Sequence, residues 1–194
     1  MCMIKAIIFD CFGVLTTDAW LPFKNEHFKG NTEHFDRAGV LNQQSDAGLI
    51  GYDDFLREIG YMAGMTGQQV EAAISNNVPN HDLFNYIREL KPEYKIGLLS
   101  NASGDWLGQL FAPAELEVFD ATALSYDTKR TKPAAEAYQI IADRLGEAVE
   151  DCVFIDDQDR FVTGAQDAGM RAIWFKGNDQ LRQDLQELLT NSKR

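Results

Sequence analysis

Residues 3–18 read MIKAIIFDCFGVLTTD, a mostly apolar run followed by an acidic residue and a turn. Residues 4–9 are rich in β-branched side chains, which predicts a strand buried on both faces of a parallel sheet. Asp10 then lies at the carboxyl end of that strand, where open α/β sheets bind their ligands. Gly13 follows in the turn, where a residue without Cβ lets the backbone approach a bound anion closely. This stretch alone leaves Asp10 open as a nucleophile, a metal ligand or a cap of the loop.

The 194-residue chain is long enough for one core and a small inserted unit. It carries 18 Lys and Arg against 30 Asp and Glu, a net charge of −12, which argues against nucleic acid or an anionic membrane as a partner. No apolar run reaches the ~20 residues that a membrane span needs, and the N-terminus lacks a signal-peptide pattern. Cys2, Cys11 and Cys152 are odd in number and lack metal-ligand spacing, which indicates reduced thiols in a cytoplasmic protein.

Residues 16–80 differ from the rest of the chain, because they contain helical patterns and no convincing strand. One helix is predicted to follow Gly51, and another to follow an N-cap at Thr66. We therefore expect residues 1–15 and 81–194 to form the core, with residues 16–80 as a small helical cap inserted into it. Four aromatic residues of this segment fit the interior of a small bundle better than a binding site: Trp20, Phe23, Phe28 and Phe35.

Two further apolar runs end in polar residues, at Ser100–Asn101 and at Asp156–Asp157. Helical patterns separate the runs, which is the βα repeat of a doubly wound parallel sheet. The adjacent carboxylates of Asp156 and Asp157 repel each other unless a cation lies between them and another acid. Asp10 can supply that other acid, which gives a set of hard oxygen ligands suited to Mg²⁺.

Lys132 belongs to a short basic segment with Lys129 and Arg130 in this acidic chain. Pro133 suits the first turn of a helix, so we expect Lys132 at a helix N-terminus, where an anion is favoured. Lys129 and Arg130 are more typical of a solvated loop.

Four signals at strand or helix ends occur in the order Asp10, Ser100, Lys132 and Asp156–Asp157. In this order they resemble the motifs of the haloacid dehalogenase-like hydrolase superfamily, over residues 4 to about 175. The matching sequences are IIFDCFGVLT, LLSN, KPAAEAY and VFIDD, which contain the four signals in turn. The resemblance implies an α/β fold with a Rossmann-like core, and residues 16–80 resemble the helical cap of the superfamily's phosphatase branch.

The resemblance also implies a reaction, in which Asp10 attacks a small phosphorylated metabolite and forms an aspartyl-phosphate. Ser100 and Lys132 are the other implied catalytic residues. Substrate binding is implied for Ser100, Asn101, Gly13 and Lys132. Mg²⁺ would be held by Asp10, the backbone carbonyl of Phe12 and Asp157, with Asp156 in support. Neither a particular substrate nor an oligomeric state is implied.

Phe12 is a departure from the superfamily's phosphatases, which carry a second Asp at this position as general acid and base. Three hypotheses follow. The first is a Mg²⁺-dependent phosphohydrolase with an impaired or altered proton-transfer step. The second is a weak or inactive relative that binds a phosphorylated ligand or a protein. The third is a dehalogenase, since such enzymes carry an aromatic residue here and a Lys–Tyr pair like Lys132 and Tyr138. Their fourth motif is neutral, however, where this chain has Asp156–Asp157.

Overall fold

The computed structural model describes residues 3–192 and contains a sheet of five parallel strands. Their spatial order is β3-β2-β1-β4-β5, with β1 in the centre and Ile7 aligned with Ile96 and Val153. The strands are β1 (Ala6–Phe9), β2 (Lys95–Ser100), β3 (Ala121–Leu124), β4 (Cys152–Asp156) and β5 (Arg171–Trp174).

Helices connect the strands and also form the insertion after β1. The insertion contains α1 (Trp20–Phe28), α2 (Thr32–Asp46), α3 (Tyr52–Ala63) and α4 (Gly67–Ile74). The remaining helices are α5 (His81–Leu90), α6 (Leu107–Leu110), α7 (Pro113–Leu116), α8 (Ser125–Thr128), α9 (Ala135–Leu145), α10 (Asp159–Asp167) and α11 (Asn178–Ser192). A 3₁₀ turn at Val149–Asp151 precedes β4.

Alternate residues of the strands face two different apolar layers, which explains the continuous apolar runs in the sequence. Ile7 and Phe9 of β1 pack in one layer with α5 and α11. Ala6 and Ile8 pack in the other layer with α9 and α10. Helices therefore cover both faces of the sheet, and the predicted doubly wound α/β fold is confirmed.

The helical insertion (α1–α4) has an apolar cluster of its own. Phe23 and Phe28 are buried in that cluster, as their assignment to a bundle interior predicts. Thr66 forms a capping box with Gln69 at the start of α4. The insertion leaves and rejoins the core through paired segments, because Thr17 N–H donates to Val78 O and Val78 N–H donates back to Thr17 Oγ1.

Two element boundaries differ from the predictions. The sequence of residues 118–122 predicts a short strand, but β3 spans Ala121–Leu124. The Asp120 side chain accepts a hydrogen bond from Ile96 N–H, so the chain enters the sheet only after this residue. The sequence of residues 104–110 predicts a helix, but only the last turn, Leu107–Leu110, is helical.

Cys11 and Cys152 are buried free thiols, and Cys2 lies outside the described residues. Burial raises the pKa of the Cys152 thiol to about 12, so this side chain is a neutral part of the core. Among residues 3–192, no helix combines the length and apolarity that crossing a membrane requires.

Candidate active site

Lys132 and two carboxylates form a buried ion-pair cluster at the carboxyl edge of the sheet. Lys132 Nζ lies 2.6 Å from Asp10 Oδ1 and 2.6 Å from Asp156 Oδ2. Asp10 follows β1, Asp156 ends β4, and these two strands are neighbours at the point where the strand order reverses. This is the crevice in which doubly wound sheets bind ligands. The aromatic faces of Phe154 and Phe161 lie beneath the ammonium group.

Asp157 brings a third carboxylate to the cluster. One oxygen from each of Asp10, Asp156 and Asp157 lies within 4.8 Å of the others. Asp157 Oδ1 is buried and has no hydrogen-bond partner among the described residues, an arrangement that costs free energy unless a ligand completes it. Three carboxylates also carry more negative charge than one ammonium group balances. The donor set and the orphaned oxygen both fit a hard divalent cation.

Gly13 provides the space that Asp157 occupies. Its φ is +88°, and a Cβ built at this position would lie 2.3 Å from Asp157 Oδ2. The Gly13 N–H donates to Thr16 O, and Gly13 is absent from the cavity walls described below. Gly13 thus makes room for the Asp157 carboxylate, and its role in substrate binding stays a prediction.

Burial governs the protonation of the cluster. It raises the pKa of Asp10 to about 8, although Lys132 acts in the opposite direction. Burial, together with the charge of Asp156, raises the pKa of Asp157 to about 6. The two carboxylates raise the pKa of Lys132, which therefore stays charged despite its burial. A cation added among these oxygens would favour their ionised forms.

Asn101 holds the backbone of Lys132 in place. Lys132 N–H donates to Asn101 Oδ1 at 2.8 Å, and Asn101 Nδ2 donates to Lys132 O at 3.0 Å. The expectation that Pro133 begins a helix with Lys132 at its N-terminus is wrong, because α9 begins at Ala135. The two hydrogen bonds tie Lys132 to the end of β2, so its ammonium group reaches Asp10 from a loop.

Ser100 and Phe12 line a cavity of about 480 Å³ between the sheet edge and the helical insertion. Ser100 ends β2, and its Oγ makes a long contact of 3.4 Å with Asn101 O. The phenyl ring of Phe12 is half-buried and packs against the apolar layer of α5 and α11. Asp10 and Lys132 reach the same cavity, so the predicted catalytic residues share one space.

Two acidic residues of the insertion, Asp18 and Asp46, also line this cavity, and no sequence motif marks them. Burial raises the pKa of Asp46 to about 7 and raises that of Asp18 above its ordinary value. Trp20 also lines the cavity, which favours a binding-site position for this aromatic residue over a place in the bundle interior alone. These residues carry no local motif, because only the packing of helices brings them to the sheet edge.

Known proteins similar to this chain include hydrolases of two kinds. The model of the haloacid dehalogenase-like hydrolase family matches residues 4–169. An (S)-2-haloacid dehalogenase of Xanthobacter autotrophicus is 30% identical over 186 residues, covering 86% of this chain and 73% of the relative. A D-ribitol-5-phosphate phosphatase of Bacteroides thetaiotaomicron is 22% identical over 207 residues, covering 97% of this chain and all of the relative.

A solved structure adds a comparison of folds. The crystal structure of a family enzyme from Bacteroides thetaiotaomicron, in complex with magnesium and inorganic phosphate, aligns with a TM-score of 0.69 and 26% identity. The alignment covers 88% of this chain and 93% of that one. The family model covers most of the chain, and the motifs and the parallel sheet agree with it. The chain belongs to the haloacid dehalogenase-like hydrolase family.

Proposed function

We propose that this chain is a Mg²⁺-dependent phosphohydrolase that acts on a small phosphorylated metabolite through an aspartyl-phosphate on Asp10. The observation that carries the proposal is the third carboxylate at the site, Asp157, with its buried and unpartnered Oδ1. Lys132 alone leaves this cluster with a net negative charge, which would repel a phosphate dianion. A divalent cation held by Asp10, Asp156 and Asp157 would offset that negative charge.

The residues of the cluster have separate roles in the proposed reaction. Asp10 Oδ attacks the phosphorus, and Lys132 stabilises the charge on Asp10 and on the phosphoryl oxygens. Ser100 and the backbone N–H groups after β2 hold the phosphoryl group. The three carboxylates and the backbone carbonyl of Phe12 would hold Mg²⁺, which when bound would neutralise negative charge at the site. Residues 16–80, which comprise the helical insertion and the segments that connect it to the core, serve as the cap that excludes water.

Dehalogenation is the second candidate function, and the 30% identity to an (S)-2-haloacid dehalogenase favours it. The proposed Lys–Tyr pair is present, but Tyr138 is fully buried and its hydroxyl donates to Phe161 O. The carboxylates of Asp156 and Asp157 argue against this candidate, since a haloacid is itself an anion and gains nothing from them without a cation. Phosphoryl transfer therefore explains more of the site.

Phosphate release from a panel of substrates tests the proposal. Wild type, Asp10→Asn and Phe12→Asp are incubated with Mg²⁺ and with alkyl phosphomonoesters, acyl phosphates or p-nitrophenyl phosphate. We expect turnover by wild type that stops on removal of Mg²⁺ and in Asp10→Asn. Activity only in Phe12→Asp would instead favour a binding protein that has lost its acid. Halide release from 2-haloacids without phosphate release would favour the dehalogenase.

A further inference from the structure

Phe12 leaves the proposed reaction without a proton donor beside the nucleophile, since a phenyl ring transfers no protons. We infer that Asp46, the last residue of α2, is the catalytic acid and base, protonating the leaving oxygen and later accepting a proton from water. This inference rests on the proposed phosphohydrolase function and adds a residue outside the four motifs. Asp46 lines the same cavity as Asp10, Ser100 and Lys132.

The backbone of Asp46 is fixed against the core beside the phosphoryl site. Ser125 Oγ donates to Asp46 O at 2.5 Å and accepts from Ala102 N–H at 2.9 Å. Ser125 follows directly after Leu124, which is aligned with Ser100 across β3 and β2. One hydroxyl group therefore joins the end of α2 to the loop after Ser100. A proton-transferring group needs this kind of fixed position, because its distance to the reacting atom determines its effect.

The carboxyl group of Asp46 is able to exist in both protonation states near neutral pH. Burial raises its pKa to about 7, and the charge of Asp18 adds to this effect. Lys132 and Arg160 act in the opposite direction, as does the hydrogen bond that Asn42 Nδ2 donates to Asp46 Oδ2 at 3.0 Å. We assign the transferred proton to Oδ1, since Oδ2 accepts from Asn42. A group of this kind suits acid and base steps in one cycle.

Asp18 is the other acidic residue of the cavity, and its contacts favour a structural role. Its Oδ1 accepts the Trp20 N–H at 2.9 Å, at the start of α1. The backbone N–H groups of Trp20 and Leu21 lower the pKa of Asp18 against the effect of burial. These donors stabilise the ionised form, whereas a general acid must carry a proton. Asp46 is therefore the better candidate.

The proposed steps balance in atoms and charge. Asp10 Oδ forms a bond to phosphorus, the bond from phosphorus to the ester oxygen breaks, and that oxygen takes the proton from Asp46 Oδ1. The alcohol leaves, and Asp46 is then a carboxylate. A water oxygen next bonds to the phosphorus and gives one proton to Asp46. The bond from phosphorus to Asp10 breaks, hydrogen phosphate leaves, and both side chains return to their initial states.

The test compares leaving groups that need a proton with one that does not. Wild type and Asp46→Asn, each with Mg²⁺, are assayed on the best alkyl phosphomonoester of the panel and on p-nitrophenyl phosphate. For Asp46→Asn we expect kcat/KM on the alkyl ester to fall by about 10²–10⁴, the range typical for loss of a general acid. The first-turnover burst of p-nitrophenolate should change by less than about tenfold, because this anion leaves without a proton.

Two further variants separate catalysis from folding. Phe12→Asp in the Asp46→Asn background supplies a carboxylate at the family's usual position, and we expect it to restore alkyl ester turnover at least about tenfold. Asp36→Asn changes an exposed acid on the same helix, and we expect it to match wild type. The wild-type profile of kcat/KM for the alkyl ester should also decline above about pH 7, a measurement that needs no variant.

Several results would overturn the inference. Alkyl ester turnover by Asp46→Asn close to that of wild type would exclude Asp46 as the acid. Equal losses in alkyl ester turnover and in the p-nitrophenolate burst would indicate a structural role. Wild-type activity on p-nitrophenyl phosphate and acyl phosphates alone would remove the need for an acid while leaving the proposed phosphohydrolase function intact. If wild type releases no phosphate from any substrate of the panel, both the proposed phosphohydrolase function and this inference are contradicted.

Discussion

The carboxyl edge of the sheet and the helical insertion contribute to one cavity, but they are held in different ways. At the sheet edge, Asp10, Lys132 and Asp156 are buried, and two ion pairs of 2.6 Å link them. The insertion has its own apolar cluster, and its contacts with the core include the hydrogen bond from Ser125 to Asp46 and the ring contact between Tyr52 and Trp106. The core thus contributes a buried cluster of paired charges, and the insertion contributes cavity-lining residues such as Asp46 that lie outside this cluster.

The largest expected effect comes from removing the central cation of the core. Lys132→Met leaves Asp10 and Asp156 buried without their partner, since its side chain is only 1% exposed. We expect a loss of about 3–5 kcal/mol in the free energy of unfolding at pH 8 in EDTA. The loss should be smaller at pH 5, because the isolated carboxylates have raised pKa values and take up protons as the pH falls. Phosphate release should be lost at both pH values.

A surface ion pair of the insertion is the matched control for this substitution. Arg57 Nη2 lies 2.6 Å from Asp54 Oδ1 on α3, and both side chains are more than half exposed. Arg57→Met should cost less than about 1 kcal/mol in urea unfolding. Similar costs for Arg57→Met and Lys132→Met would contradict the view that the core cluster, rather than the insertion, carries the electrostatic contribution to stability.

The difference between the sheet edge and the helical insertion also explains which site residues could be predicted from the sequence. Parallel strands in register bring their ends to one edge, as Phe9 aligns with both Leu98 and Ile155, so residues following the strands meet without knowledge of the packing. Asp10 and Asp156 were predicted on this basis. Asp46 could not be, since its approach to the cavity depends on how four helices pack. Pro133 was misassigned because the contact of Asn101 with the preceding loop is also tertiary.

Substituting two glycines with positive φ distinguishes the effect of backbone strain from an effect on the proposed metal site. Gly13 in the core has φ +88° and lies against Asp157, while Gly64 in the insertion has φ +69° and no atom within 4 Å of a built Cβ. Gly64→Ala should lose about 1–2 kcal/mol of stability, because L-residues are disfavoured in this conformation, and Gly13→Ala should lose at least as much because its methyl group also meets Asp157. Only Gly13→Ala should also weaken Mg²⁺ binding in calorimetry, since its methyl group displaces Asp157. Equal Mg²⁺ affinity in the two variants would show that Asp157 is not a ligand.

The smallest expected effect on stability comes from substituting Asp46. Unlike the substitutions above, Asp46→Asn should stabilise the protein. Burial raises the pKa of Asp46 from the ordinary value of 3.8 to about 7 in the folded protein, so the folded state binds more protons between these pH values. Stability from this group is therefore present at low pH and lost as the pH rises toward 7. Asp46→Asn lacks this dependence, and in EDTA it should melt a few degrees above wild type at pH 8, on a scale of about 2–4 °C per kcal/mol.

The Asp46→Asn difference from wild type should shrink as the pH falls from 8 toward 4, because Asp46 is then neutral in the folded protein and increasingly neutral in the unfolded chain. Asp36→Asn, on the exposed face of the same helix, should show no such dependence on pH. A lower melting temperature for Asp46→Asn at pH 8 would mean that the carboxylate stabilises the insertion, which is the behaviour of a structural residue. Higher stability of Asp46→Asn together with loss of alkyl ester turnover would instead be the behaviour of a catalytic residue. Such residues are held in surroundings that disfavour their charged form, so removing the charge stabilises the fold. The two measurements together therefore distinguish an acid retained for the reaction from one retained for the fold.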